Sequence, residues 1–192
     1  VSVQQVAAQT DTTDLAAPAR VLAQKALIID THIDVPYRLH EGWEDVTVAT
    51  PDGDFDYERA KRGGLDVLFM SIYTPAELEA TGGSFQLANE LIDSSEALVG
   101  RAPDKFMMVH TTADAEKARQ KGLIGLALGM ENGSPIEDKL ENVQFFYNRG
   151  IRYITLAHAL SNHISDSSYD INHPWHGLSP FGREVVAEMN RV

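Results

Sequence analysis

The stretch Ala26-Leu27-Ile28-Ile29-Asp30-Thr31-His32-Ile33-Asp34 decides how this chain is read. A short apolar run breaks off into Asp-x-His-x-Asp. The run reads as a buried β-strand. Residues two apart at its end face the same side of an extended backbone. His32 and Asp34 therefore offer an imidazole nitrogen and a carboxylate oxygen to one divalent cation, a donor pair that suits zinc. Strand ends are also where α/β proteins place their ligands. Taken alone, the same pattern serves equally well as a polar strand terminus in which Asp34 caps a turn.

Outward from residues 26–30, three further apolar runs read as strands, at 65–73, 123–130 and 152–157. They are rich in β-branched or large apolar residues without strict alternation, which suits strands buried on both faces of a parallel sheet. Residues 106–110 are a shorter fifth candidate. Helical segments lie between them, at 55–62 (ended by Gly63-Gly64), 75–99, 112–121, 136–148 and 179–191. The last opens with Ser179-Pro180, a good cap and first-turn pair. The alternation predicts a parallel α/β domain. The connections 31–54 and 158–178 each run about twenty residues, far beyond the usual 2–6 for such loops, and so read as functional.

A (β/α)₈ barrel takes about 250 residues. Four β–α units already consume these 192. Half a barrel leaves two open strand edges, a liability in water. The expectation is therefore the N-terminal half of a (β/α)₈, TIM-like barrel over residues 21–192. The remainder would lie in residues absent from this sequence or on another chain. Residues 1–20, rich in Gln, Ala, Thr and Asp without a clear period, read as a flexible leader of an exported, periplasmic or extracellular, protein, with a cytoplasmic one as the alternative.

Composition narrows the function. Hydrophobic residues make up 43% and charged residues 23%, an ordinary globular balance. Sixteen Lys+Arg face 28 Asp+Glu, a net charge of -12 that disfavours nucleic acid and anionic membranes. There is no Cys, so any metal must sit on His, Asp and Glu. No apolar stretch approaches the ~20 residues of a membrane span. No glycine fingerprint follows the first strand and no Walker loop occurs, which disfavours nucleotide binding.

Two more strand ends carry metal-type or catalytic side chains. Glu131 follows Gly125-Leu126-Ala127-Leu128-Gly129-Met130, and a carboxylate there could bridge two ions about 3.5–4 Å apart. It could instead favour the N-terminus of the following helix. His158 ends the fourth run, where an imidazole could polarise a carbonyl or stabilise an oxyanion, or be an ordinary loop histidine. His163, His173, His176, His40, His110, Trp43 and Trp175 read as surface or loop-packing residues.

Together these strand ends resemble the membrane (renal) dipeptidase family, the M19 peptidases. The matching pieces are Ile29-Asp30-Thr31-His32-Ile33-Asp34-Val35-Pro36, Gly129-Met130-Glu131-Asn132-Gly133, Arg152-Tyr153-Ile154-Thr155-Leu156-Ala157-His158 and Gly177-Leu178-Ser179-Pro180-Phe181-Gly182. Their order and spacing over residues 22–192 are more specific than any one of them. The resemblance implies a (β/α)₈ barrel with two zinc ions at the strand C-termini. His32 and Asp34 would bind one zinc, Glu131 would bridge both, and His158 would contact the substrate and steady the tetrahedral intermediate. The attacking group would be a metal-bound hydroxide, and the reaction hydrolysis of small dipeptides.

Two departures stand out. The family commonly has Gly after the bridging Glu, where this chain has Asn132. The two histidines that complete the second zinc, and a further proton-handling Asp, would lie beyond Val192. The partners implied are a dipeptide substrate and the C-terminal half of the barrel or a companion chain, with a homo-oligomer open and nucleic acid excluded. The competing functions are a non-catalytic binding or assembly protein on the same barrel and another two-metal amidohydrolase. Such amidohydrolases more often begin with His-x-His, against His32-x-Asp34 here.

Overall fold

The apolar runs form five strands of one all-parallel sheet: β1 (Ile29–Ile33), β2 (Val67–Tyr73), β3 (Phe106–Met108), β4 (Ile124–Glu131) and β5 (Ile151–Thr155). The computed structural model describes residues 15–192; residues 1–14 of the expected leader lie outside the described residues. β2 follows β4 along one edge, from Val67 against Gly125 to Tyr73 against Glu131. β3 and β5 share the other edge of β4, β3 beside residues 124–126 and β5 beside residues 128–131. β1 lies outside β2. Among the described residues, β1 and β5 each keep an unpaired edge, as half a barrel requires.

The helices are α1 (Ala16–Lys25), α2 (Val35–Glu41), α3 (Tyr57–Gly63), α4 (Leu78–Thr81), α5 (Ser84–Arg101), α6 (Thr112–Gln120), α7 (Glu141–Asn148) and α8 (Pro180–Arg191), with a 3₁₀ turn at Ser134–Ile136. Three start on side-chain caps. Asp56 accepts from Arg59 N, Thr111 forms a capping box with Asp114, and Ser179 accepts from Gly182 N.

Five expectations change. The first strand, expected as a buried one over residues 26–30, runs from Ile29 to Ile33 and is largely exposed, because it is an edge strand with no described strand on its outer side. Ala16–Arg20, assigned to the leader, are helical in α1; Gln24 ties this helix to the Lys61 carbonyl. The connection 31–54 is not all loop, because α2 occupies part of it; at seven residues, with Pro in its first turn, α2 is too short to show a helical period. The single helix expected at 75–99 is two, because Gly82 and Gly83 sit at φ +78° and +96°, outside the helical basin. The helix expected at 136–148 loses its first turn, where Glu137 lies at φ 51°.

The two faces of the sheet differ. Leu68, Met70 and Ile72 of β2 and Ile124, Leu126, Leu128 and Met130 of β4 point into the helix layer, where Leu91 and Ile92 of α5 and Phe146 of α7 join the main core. Each of these fully buried side chains contributes about 1.5–3 kcal/mol relative to exposure. On the opposite face Val67 and Ala127 pack with Val109 and with Ala115 and Ala118 of α6. That second cluster covers only the N-terminal part of the face. Towards the strand C-termini the same face continues as Ser71, Tyr73, Gly129 and Glu131. No described helix is long and apolar enough to cross a membrane.

Candidate metal centre

The first strand reaches the site through a slip in pairing. Asp30 stands beside Leu68 but Ile33 beside Met70, so β1 carries one extra residue between them. Met70 faces the helix layer, and Ile33 packs against that same core. His32 and Asp34, flanking Ile33, therefore face the other way, over the ends of β2 and β4. Uninterrupted alternation from Ile29 would have turned them into the helix layer. Asp34 then occupies the N-cap position of α2, yet its carboxylate caps nothing. It is free for the site.

His32 Nε2 lies 3.2 Å from Asp34 Oδ1 and 3.2 Å from Glu131 Oε2. One donor atom from each of the three residues falls within 4.8 Å of the others. Tetrahedral donors around zinc, at bond lengths of about 2.0–2.1 Å, stand roughly 3.3 Å apart. The donor types and their spacing thus fit a zinc-sized cation. Glu131 divides its two oxygens: Oε2 faces His32, and Oε1 lies 3.1 Å from His158 Nε2. The Glu131 carboxylate points into this cluster, and the 3₁₀ turn that follows has no side-chain cap. All four residues singled out in the sequence, His32, Asp34, Glu131 and His158, meet at one mouth.

The supporting residues were not read from the sequence. Ser71, fully buried, donates to Glu131 Oε2 at 2.7 Å. Its signal was a lone serine in the apolar run Val67-Leu68-Phe69-Met70-Ser71-Ile72-Tyr73. Tyr73 stands edge-on to both Tyr37 and His158, with ring centroids 5.0 Å apart in each pair. Asp34, Tyr37, Tyr73, Glu131 and His158 line a cavity of about 270 Å³. A neighbouring cavity of about 370 Å³ is walled by His32, Asp34, Arg38, Gly53, Asp54 and Phe55. His158 Nδ1 is buried with no hydrogen-bond partner.

Asn132 explains its own departure from glycine. It sits at φ 78°, a left-handed conformation that Gly adopts freely and Asn tolerates. Its buried amide donates to the Thr74 carbonyl and accepts from Ser134 N, Ser134 Oγ and Asn162 Nδ2. One side chain thus ties together the segments that follow β2, β4 and β5. The segment after β5 is held a second time by His163, whose Nδ1 lies 2.7 Å from Glu79 Oε1. Burial works against both charges, yet their mutual hydrogen bond prevails. It lowers the Glu79 pKa, with help from Ser134 Oγ, and raises that of His163. His40, His110, His173, His176, Trp43 and Trp175 are exposed.

The comparisons with known proteins concern the family and the fold. The family model described as "Membrane dipeptidase (Peptidase family M19)" matches residues 16–192. Dipeptidase verJ of Clonostachys rogersoniana is 29% identical over 93% of this chain and 50% of its own length. The crystal structure of the probable dipeptidase PvdM from Pseudomonas aeruginosa superposes with a TM-score of 0.82 at 21% identity, over 92% of this chain and 47% of that one. A metallo peptidase from Rhodobacter sphaeroides, liganded with a phosphinate mimic of the dipeptide L-Ala-D-Ala, superposes at 0.72 and 22% identity, over 86% and 56%. The chain spans half or less of the length of the curated relatives it matches. The shared fold is the first half of the barrel that these dipeptidases carry.

Proposed function

The chain belongs to the membrane dipeptidase family, peptidase family M19, and from that membership we propose that the protein hydrolyses the peptide bond of small dipeptides at a centre of two zinc ions. The observation that carries the reading is the convergence of His32, Asp34 and Glu131 donor atoms within 4.8 Å. Zinc held there supplies Lewis acidity and brings the pKa of water down to about 7.

The residues of this chain divide the work. His32 Nε2 and Asp34 Oδ1 would hold one cation. Glu131 presents one oxygen to that side and the other to the side of His158, and its negative charge would offset repulsion between two ions. Ser71, donating to Glu131 Oε2, keeps the carboxylate oriented. His158 lines the cavity with Nε2 3.1 Å from Glu131 Oε1, and its imidazole would contact the carbonyl oxygen of the substrate there and stabilise the oxyanion. Tyr37 and Tyr73 narrow the cavity to a size that suits a small substrate. The remaining ligands of the second zinc, and the strands that pair with the free edges of β1 and β5, come from the rest of the barrel.

The test is dipeptide hydrolysis by the full-length protein, with L- and D-residues at the C-terminal position, before and after chelation. Activity lost to the chelator and restored by zinc is the expected result. Equal rates with and without chelator would overturn the proposal.

A further inference from the structure

Tyr153 stands behind His32, on the ring edge away from the two carboxylates. Its oxygen lies 3.0 Å from His32 Nδ1 and donates to the Thr31 carbonyl at 3.2 Å. A phenol has one hydrogen and a carbonyl has none to give. The Thr31 carbonyl can only accept, so a Tyr153 hydrogen given to it leaves the phenol oxygen to accept from His32, an arrangement in which Nδ1 carries the hydrogen. A neutral imidazole has one N–H, and with it at Nδ1 the lone pair falls on Nε2. Nε2 is the atom 3.2 Å from both Asp34 Oδ1 and Glu131 Oε2.

The placement of the phenol is built into the sheet. A Cβ at Gly129 would stand 2.1–2.5 Å from three atoms of the Tyr153 side chain, so the ring needs glycine at that position of β4. Phe69 packs 5.4 Å from it, centroid to centroid.

We propose that Tyr153 is a positioning residue: through its paired contacts to Thr31 and His32 it selects the Nδ1–H form of His32 and fixes the ring so that Nε2 faces the cation. This rests on the metal-centre reading above. Metal-ligating histidines are commonly oriented by a partner on their second nitrogen, and losing that partner weakens binding about 10–100-fold. Here the partner is a phenol anchored on the backbone of the residue preceding the ligand.

The test uses the full-length protein stripped of metal. Zinc titration calorimetry on wild type, Y153F, G129A and H32A reads affinity, and ¹⁵N shifts of the zinc-loaded, histidine-labelled protein read which ring nitrogen of His32 carries hydrogen. H32A identifies the binding step that depends on this residue. In Y153F that step weakens by about 10–100-fold, and His32 loses the single Nδ1–H pattern of wild type. G129A, which displaces the ring but leaves the hydroxyl, gives the same direction. Wild-type affinity together with an unchanged His32 pattern in Y153F overturns the role of Tyr153. A wild type that takes up no zinc, or an H32A that binds as wild type does, overturns the metal centre itself.

Discussion

Asp56→Asn is expected to remove about 1–2 kcal/mol of stability near neutral pH and almost none in strong acid. The side chain is 1% exposed and accepts from Arg59 N at 2.8 Å, Thr50 N at 3.2 Å and Arg59 Nε at 2.6 Å. Burial alone would raise its pKa. The backbone donors and the Arg59 guanidinium more than offset that and bring it from 3.8 to about 2. By linkage this fall is worth about 2 kcal/mol, and discounting for water beside the loop leaves about 1–2 kcal/mol. Because the folded pKa is depressed, the contribution is fully present above pH 3.8 and disappears as pH falls through about 2. Asn is itself a good N-cap, so the substitution isolates the charge from the cap of α3. Urea unfolding of both full-length proteins, at neutral pH and at pH values descending below the ordinary Asp range, measures the gap. A gap that stays constant down the series, or is below about 0.5 kcal/mol at neutral pH, would refute the reasoning. The substitution also reaches the site. Gly53, Asp54 and Phe55 precede Asp56 directly and wall the cavity beside His32 and Asp34, so this wall should gain amide exchange in the variant.

Asp34→Ala should weaken zinc binding, and Glu131→Gln should lower turnover more severely, by more than about 100-fold, the upper end for residues outside a ligand set; metal analysis and dipeptide assays check both, and wild-type zinc content with wild-type turnover in the Glu131 variant would contradict the bridging role. The Glu79–His163 pair has a raised His pKa and a lowered Glu pKa, so its contribution is full between pH 4.5 and 6.5, the two ordinary values. It fades above as His163 loses its proton and below as Glu79 gains one; thermal melts of His163→Gln across this range should lack that bell-shaped component. Asn132→Ala should cost at least about 1–2 kcal/mol, from the left-handed backbone alone. Asn132→Gly keeps the backbone and loses only the amide network, so its melting temperature should lie above that of the Ala variant.

The central strands β2 and β4 were legible because they are apolar and buried on both faces, which shows in consecutive residues, whereas β1 is an exposed edge strand that starts later than its apolar run. The alternation of elements was legible for the same local reason. The short helix α2 and the breaks at Gly82-Gly83 and Glu137 were not, since a few residues carry too little periodicity to outweigh their neighbours. At the site, His32, Asp34, Glu131 and His158 were legible as residue types at strand ends. Ser71 and Tyr153 were not, because their partners lie 60 and 121 residues away in the chain.

What the amino-acid order determines by itself is therefore the inventory: four metal-type or catalytic side chains, each at the end of an apolar run, in an order that matches one family. Only the tertiary structure decides which way they point. The extra residue in β1 turns His32 and Asp34 onto the face that Glu131 shares, and the bare surface of Gly129 admits the phenol behind His32. Both depend on register between strands, and register is set by contacts that no local stretch of sequence contains.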